Sequence, residues 1–539
     1  MRILFIILFA VLLSAQLPRP TQTRLSLSQA VETALKNNLE IEIEKTNQAA
    51  AHIALRGARG FMDPAIRFQP LGESRNTPTG SSLASSTGTV SENLFSQNFY
   101  YRQRLPWQGL IGQASFENIR QSTNNPFTSL NPYLQPRLTI GLTLPLLRDR
   151  KIDADRANLI IRRKQTEVSD TDFELKVIDV VARVEQSYYD LAAVRADLQV
   201  VDEAVKLAQE QLDRTKRMIE SGSMAPVELS AAEAELERRR DTFFQTLTQL
   251  TQVENALKTL LASGRDQDLW KDEIIPTTDQ RSAPPPALEL PGLVAEALKK
   301  RSEFRALAHQ KDMNAVQRDL AGNQRQVQAN VTGAYISSGL AGTVTSTESP
   351  FTALTGSLVQ RLNQISIASG LAPLPPINLG GGVPPGFVGG VGQSLSNLFS
   401  GRYQSFQGGL TLDWTPRNTA AEAALAQTAV TERRIGLLRR QLEQAIEAQV
   451  RNALQSIVTS EQRMAAAEAS ARAAREKLAS ETRLFQTGES TNFLVLTRQN
   501  ELSDSRRRVV VATLEFNKSV ARLGLALGKK LEEYAIDLK

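Results

Sequence analysis

The sequence predicts a mainly α fold that also carries membrane β-strands, written twice from one plan. Three observations point there. The stretch "GLTLPLLRDR" at 141–150 is echoed by "GLTLDWTPRN" at 409–418. An apolar residue recurs every seventh position through two long segments. Alternating polar and apolar segments long enough to cross a bilayer precede each of these.

Composition supports order and long helices. Of 539 residues, 41% are hydrophobic, 22% charged and 6% aromatic. Few aromatics with abundant Ala, Leu, Gln, Arg and Glu favour helix. A net charge of +6 is small for this length, and the basic residues are interspersed with acids. No basic stripe interleaved with aromatics is present, so a nucleic-acid partner is not expected. The absence of cysteine excludes disulfides, thiolate metal sites, cysteine nucleophiles and a lipid-modified cysteine.

In order along the chain, residues 1–20 read "MRILFIILFAVLLSAQLPRP". Arg2, an apolar run from Ile3 to Leu13 and then Ser14-Ala15 form the layout of a secretory signal peptide, residues 1–15, cleaved after Ala15. A membrane anchor is the competing reading, but a spanning helix needs about 20 apolar residues.

The first repeat is expected over 16–287 and the second over 288–539. Near their starts, "LSLSQAVETALKNNLE" (25–40) matches "LELPGLVAEALKKRSE" (288–303) at a shift of 263. The shift is 268 at the GLTL strands and 266 through the helices that follow. Val177, Val184, Leu191, Leu198, Val205, Leu212 and Ile219 carry the seven-residue spacing in the first half. Val450, Ile457, Met464, Ala471, Leu478 and Phe485 carry it in the second. Such spacing keeps one seam on a partner helix as the two supercoil.

Each half is therefore expected to hold a short helix, β-strands, a long helix, a sharp reversal and a return helix. In the first half these fall at about 27–59, 63–147, 151–221 and 226–262. In the second they fall at about 291–326, 326–414, 418–486 and 491–528. A long helix spans roughly 105 Å and each short one roughly 50–55 Å. Two short helices end to end thus equal one long one, in an object roughly 100 Å tall. Gly222 and Gly488 sit just past the long helices, where glycine suits a left-handed cap.

The strand candidates include "PAIRFQP", "NFYYRQRL", "LIGQASFENIR", "PRLTIGLTLPLL", "VQANVTGAYISSG" and "YQSFQGGLTLDW". Tyr335, Tyr403, Phe406 and Trp414 cluster near them, as interface girdles do. A soluble β subdomain would show the same alternation, and the number of strands per chain is left open. Residues 72–95, rich in Ser, Thr and Gly, and 340–400, rich in Gly and Pro, are expected to be irregular loops, the latter disordered.

The opening "LSLSQAVETALKNNLEIEI", the entry "GLTLPLLRDRKIDADRANL" and two glycine hairpins running into "VELSAAEAEL" and "LVLTRQNEL" follow one another in a telling order. In that order the chain resembles the TolC-type outer membrane factor family over almost all of its length after the signal peptide. The resemblance implies a TolC-like homotrimer sharing one outer-membrane β-barrel, with a long periplasmic α-helical coiled-coil barrel. It implies a passive exit duct of a tripartite efflux or type I secretion system, set in outer-membrane lipid and reaching into the periplasm. A periplasmic adaptor protein would couple it to an inner-membrane pump or ABC transporter. No cofactor is expected.

In that family the hairpin tips form the periplasmic entrance and meet the adaptor. The matching residues here are Gly222, Ser223, Met224 and Ala225 in the first tip, and Gly488, Glu489, Ser490 and Thr491 in the second. An acidic gate beyond the tips would use Glu228, but the second copy has Leu494 there, followed by Thr497. His52 and His309 stand at unrelated positions without metal-ligand spacing, so a metal site is not expected. Arg238, Arg239, Arg240 and Arg506, Arg507, Arg508 read as solvated or ion-pairing helix faces. No Walker loop, Gly-x-Ser-x-Gly elbow or zinc motif is present, so an enzyme is not expected. The alternative is a structural coiled-coil envelope protein without transport activity.

Overall fold

The computed structural model describes residues 22–81, 84–85, 87–265, 268–278, 289–345, 350–375 and 382–538. The expected signal peptide and the junction between the repeats at 287–288 lie outside them. In chain order the elements begin with β1 (Gln22–Leu25), α1 (Leu27–Asn37) and α2 (Leu39–Ala58). Four strands follow: β2 (Ala65–Pro78), β3 (Thr89–Arg104), β4 (Ile111–Thr123) and β5 (Leu130–Pro145). Next come α3 (Ala154–Glu220), α4 (Val227–Leu261), β6 (Glu273–Pro276), α5 (Leu290–Lys300) and α6 (Glu303–Gln324). The chain continues through β7 (Gln328–Ser338), β8 (Ala341–Val344), α7 (Pro350–Ala368), α8 (Val391–Phe399) and β9 (Gln404–Asp413). It ends in α9 (Thr419–Gln486), α10 (Asn492–Ala526) and α11 (Lys530–Glu533).

These elements form two compact units. A sheet unit holds 54–163 and 313–431, and a helical unit holds the described residues up to Ile53 with 164–312 and 432–538.

In the sheet unit six strands pair in the order β2-β3-β4-β5-β7-β9, with β8 beside β5. All five pairings along this path are antiparallel. Register places Ile66, Tyr101, Ala114, Ile140, Tyr335 and Phe406 in one row on one face. The next residue along each strand gives Arg67, Tyr100, Ser115, Thr139, Ile336 and Ser405 on the other. Side chains alternate between faces in a strand, so the apolar-polar alternation of each segment becomes one apolar and one polar face.

Two spans differ from the expectation of irregular loops. Within 72–95, β2 continues to Pro78 and β3 begins at Thr89. There Leu71 to Pro78 pair residue by residue with Thr89 to Ser96, so the ladder to β3 carries the strand on where the composition is polar. Within 340–400, α7 and α8 are regular helices. The Gly and Pro residues concentrate between them, while Leu358, Leu362 and Ile365 in α7, and Val391, Leu395 and Leu398 in α8, hold helical spacing. Helix α8 packs onto β5, β7 and β8. The Ser337 hydroxyl donates to the Leu398 carbonyl, 2.5 Å away. Gly339 permits that approach, because a Cβ there would lie 2.2 Å from the Ser394 carbonyl oxygen.

In the helical unit the repeat is visible in the core. Val184 and Leu191 of α3 are buried with Val31 and Ala34 of α1 and Leu250 and Leu257 of α4. Val450 and Ile457 of α9, Leu293 and Ala297 of α5, and Phe516 and Leu523 of α10 do the same in the second half. Each fully buried Leu or Val side chain contributes about 1.5–3 kcal/mol. The expected single helix at 27–59 is broken after Asn37, and that at 291–326 after Lys300. Both breaks have the same backbone form: Asn38 at φ −67°, ψ 123° and Arg301 at φ −66°, ψ 122°. Asn38 fixes its break by accepting from the Glu40 and Ile41 amides and donating to the Leu260 carbonyl. Helix α1 starts with a reciprocal capping box between Ser26 and Gln29.

One pairing has no signature in the sequence. Strand β1 runs parallel to β6, with Gln22 opposite Glu273. The buried Tyr188 hydroxyl ties them to α3, donating to Leu25 O (2.9 Å) and accepting from the Thr277 and Thr278 amides (3.1 and 3.0 Å).

Candidate functional site

The tips of the two hairpins are built identically. Helix α3 ends with the Ser223 amide donating to Met218 O (2.8 Å) and the Gly222 amide to Ile219 O (2.9 Å). In α9 the Glu489 amide donates to Leu484 O (2.9 Å) and the Gly488 amide to Phe485 O (3.2 Å). Both are Schellman caps, with glycine in the left-handed region at φ 72° and 81°. A shift of 266 superposes every partner.

Around these caps the predicted residues take distinct places. Ser223, Ala225, Glu489 and Thr491 are exposed, while Met224 and Ser490 are half-buried. Ser223 Oγ lies 3.1 Å from Ser221 Oγ, and Ser490 Oγ donates to the Glu481 carboxylate. Thr491 caps α10 by accepting from the Leu494 amide. Of the candidate gate residues, Glu228 accepts from Asn492 Nδ2 at 3.1 Å. Leu494 is exposed, and the Thr497 hydroxyl donates to the Phe493 carbonyl within its own helix. Buried Asn492 in turn accepts from Gln211 Nε2 at 2.7 Å, joining the two hairpins of one chain.

Two residues escaped the sequence reading. Val227 and Phe493 begin the return helices at equivalent positions and are 73% and 71% exposed. Apolar side chains this open beside both tips are available to a partner. The signal was the repeat alignment, which places an apolar residue twice where no buried seam needs one.

The sheet unit carries a separate candidate surface. Its apolar face exposes Ile66, Phe68, Phe99, Ile140, Phe406 and Leu410. Phe68 stacks on Phe99 with ring centroids 4.6 Å apart, and Tyr335 meets Phe406 at 5.3 Å. At one end of the sheet stand two exposed tryptophans, Trp107 in the β3–β4 turn and Trp414 just past β9. An apolar band rimmed by Trp or Tyr matches the cross-section of a bilayer. Among the described residues no helix is long and apolar enough to cross a membrane.

Charged groups elsewhere are engaged in packing. Arg239 pairs with Glu235 (2.8 Å), Arg240 with Glu237 (2.7 Å), Arg506 with Glu203 (2.6 Å) and Arg507 with both oxygens of Asp197. His309 Nδ1 lies 3.0 Å from a Glu167 oxygen, and His52 Nε2 3.9 Å from Asp170. A buried cluster joins Lys530 Nζ to both Glu185 oxygens (2.9 and 2.7 Å) and to Glu533 (2.8 Å). The Tyr534 hydroxyl also donates to Glu185. Burial pushes the Glu185 carboxyl up, against the opposing pull of Lys530 and Tyr534.

Glu40 shows the opposite shift. The Arg183 guanidinium grips both its oxygens (2.8 and 2.6 Å), Lys176 adds a third contact at 3.1 Å, and the carboxyl is held down at about 2. A depressed folded value contributes stability above the unfolded carboxylate range and loses it as pH falls toward the folded value. Glu40→Gln is therefore expected to flatten the loss of thermal stability between about pH 4.5 and pH 2. Circular dichroism melts across that range check it; an unchanged acid limb would exclude the pair as its source.

Comparisons with known proteins agree with this geometry. A family model described as outer membrane efflux protein matches residues 110–263. The toluene efflux pump outer membrane protein TtgC of Pseudomonas putida is 22% identical over 289 residues, 53% of this chain and 48% of TtgC. The match thus spans about half the length of that curated relative. The CmeC outer membrane channel of Campylobacter jejuni has the same fold, with a TM-score of 0.64, 12% identity and coverage of 95% of this chain and 90% of that one. The MtrE outer membrane channel of Neisseria gonorrhoeae gives 0.59 at 15% identity, covering 94% and 89%.

A long antiparallel sheet and duplicated long helical hairpins in one chain are the architecture of the CmeC channel fold. The polar face of the sheet and the cap-and-hairpin design recur in both halves. The chain shares its fold with solved outer membrane channels, and its residues 110–263 match the outer membrane efflux protein model.

Proposed function

We propose that the protein is the outer-membrane exit duct of a tripartite efflux or type I secretion system, working as a homotrimer. It is a passive conduit that catalyses no reaction. A periplasmic adaptor docks at the tips and couples it to an inner-membrane pump or ABC transporter. The observation that carries this reading is the six-stranded sheet with one apolar and one polar face and two open edges. Open edges are not tolerated in lipid, so such a sheet is completed by other copies around a wet interior. The likeness to TtgC and MtrE, an efflux pump outer membrane protein and an outer membrane channel, supports it.

The tips named above, with Val227 and Phe493, form the adaptor surface. Glu228 serves the entrance as an intrachain hydrogen-bond acceptor for Asn492, with Leu494 and Thr497 opposite it in sequence. The full chain extracted from outer membranes is expected to run as a heat-resistant trimer and to conduct ions in planar bilayers. A soluble rod without conductance would favour a structural envelope protein instead.

A further inference from the structure

The long connection between β7 and β9 differs in composition from the rest of the chain. Residues 339–401 hold two charged side chains, Glu348 and Arg361, in a protein that is 22% charged. None falls between 362 and 401. Ionised side chains belong in water and are costly to remove from it, so a long segment without them is suited to a medium that excludes water.

Helix α8, within this segment, sits on the apolar face of the sheet. Side chains two apart on a strand share a face, so Ser337 lies with Tyr335, and Pro136 with Leu138 and Ile140. The Ser337 hydroxyl donates to the Leu398 carbonyl. Just past β7, a Cβ on Gly339 would run into both the Ser394 carbonyl oxygen of α8 and the Pro136 ring. These contacts seat Ser394 and Leu398, both buried, against the same face as Ile140 and Tyr335.

The strand ladder gives the height of that seat. Trp107 and Trp414 stand at the end where Arg104 meets Ile111 and Gln328 meets Asp413. From Gln328 to Ser337, at about 3.4 Å per residue and a tilt near 40°, the sheet climbs about 23 Å along the membrane normal. The apolar band of an outer-membrane barrel is about 25 Å tall. Helix α8 therefore stands at the band's far boundary from the tryptophans.

The outer side of the segment is apolar as well. Val388, Val391 and Phe399 are exposed, Phe399 by 71%. In α7, Leu358, Leu362 and Ile365 form a second exposed stripe at helical spacing. The polar side chains are meanwhile paired inside the segment. Asn397 Nδ2 donates to the Leu340 and Gly386 carbonyls (2.7 and 2.8 Å), and Gln393 Nε2 to Gly386 O (3.0 Å). Asn363 donates to the Leu374 carbonyl and accepts from the Leu374 amide (3.3 and 2.6 Å). Polar groups paired in this way can leave bulk water without being orphaned.

We propose that α7 and α8 are interfacial helices, lying at the boundary between headgroups and acyl chains of the leaflet opposite the tryptophan end. Val391, Phe399 and the α7 stripe point into the acyl chains, and the partner is a lipid surface. The seat of α8 continues the lipid-facing side of the sheet, and the segment lacks the charges that steer protein partners. This rests on the outer-membrane duct reading above.

The sequence has no cysteine, so a single introduced one carries the only label. Val391→Cys, Phe399→Cys and Leu362→Cys are each labelled with the fluorophore NBD in the full chain, reconstituted into phosphatidylcholine vesicles. Ile140→Cys and Phe406→Cys report on the sheet in the same way. Doxyl-labelled phosphatidylcholine is expected to quench every position, and aqueous iodide to leave each one bright. Sheet positions quenched by lipid with helix positions quenched by iodide alone would overturn the interfacial seat and keep the duct. Helix positions shielded from both quenchers would overturn it in favour of a protein cover, such as a second copy. Sheet positions open to iodide and untouched by the lipid quencher would overturn the duct reading and this proposal with it.

Discussion

Lys530→Met is expected to destabilise the helical unit by about 3–5 kcal/mol, the cost of leaving one partner of a buried ion pair uncompensated. Lys530 is 1% exposed and Glu185 4%, so neither charge is satisfied by water. Removing the ammonium leaves Glu185 with Tyr534 as its one remaining donor among the described contacts. Glu533 loses the same cation but is more open and rehydrates. The pair itself stabilises less than its rupture costs, because both ions were desolvated to form it. Lys530→Met combined with Glu185→Gln should therefore recover most of the loss. Thermal melts and hydrogen exchange of α3 around Glu185 measure both; a single variant as damaging as the double would show that packing, not charge, is responsible.

Bulky or charged replacement at Gly222 and Gly488 is expected to cut export at least tenfold while leaving trimer assembly intact. At φ 72° and 81° a side chain costs about 1–2 kcal/mol of backbone strain. A Cβ at either position meets nothing within 4 Å in the chain, so no clash adds to that. A larger functional loss would then come from a surface outside the chain, which is the proposed adaptor. Asn tolerates the left-handed conformation and stays short, so Gly222→Asn with Gly488→Asn should retain most export. Gly222→Arg with Gly488→Arg should not. Substrate efflux with the native adaptor present, alongside trimer quantification in membranes, separates the two. Normal export by the arginine variant would remove the tips from the docking surface.

Sequence periodicity reads what repeats locally and misses what meets over distance. Helices α3 and α9 were legible because a seven-residue seam runs their length and a glycine ends each. Strand length was underestimated because "LGESRNTP" at 71–78 has the composition of a loop on both faces, yet pairs with β3 throughout. Helices α7 and α8 were hidden by the Gly- and Pro-rich stretch between them. Strands β1 and β6 pair residues some 250 positions apart over four residues, too short for any pattern. At the tips the glycines announced themselves, whereas the contacts of Asn492 with Gln211 and Glu228 join residues 281 and 264 positions apart. Burial of Lys530 was equally illegible, since its partner lies 345 residues upstream.

That last contact bears on how the protein is made. Leu531, Tyr534, Ile536 and Leu538 pack against the core of the first repeat, not the second. Glu185 in the half synthesised first therefore gains this partner only once residues beyond α10 have been delivered. A chain cut short near residue 529 would keep both hairpins in sequence yet leave its earliest core open to proteases. The contact thus makes the core of the first repeat depend on residues delivered after α10.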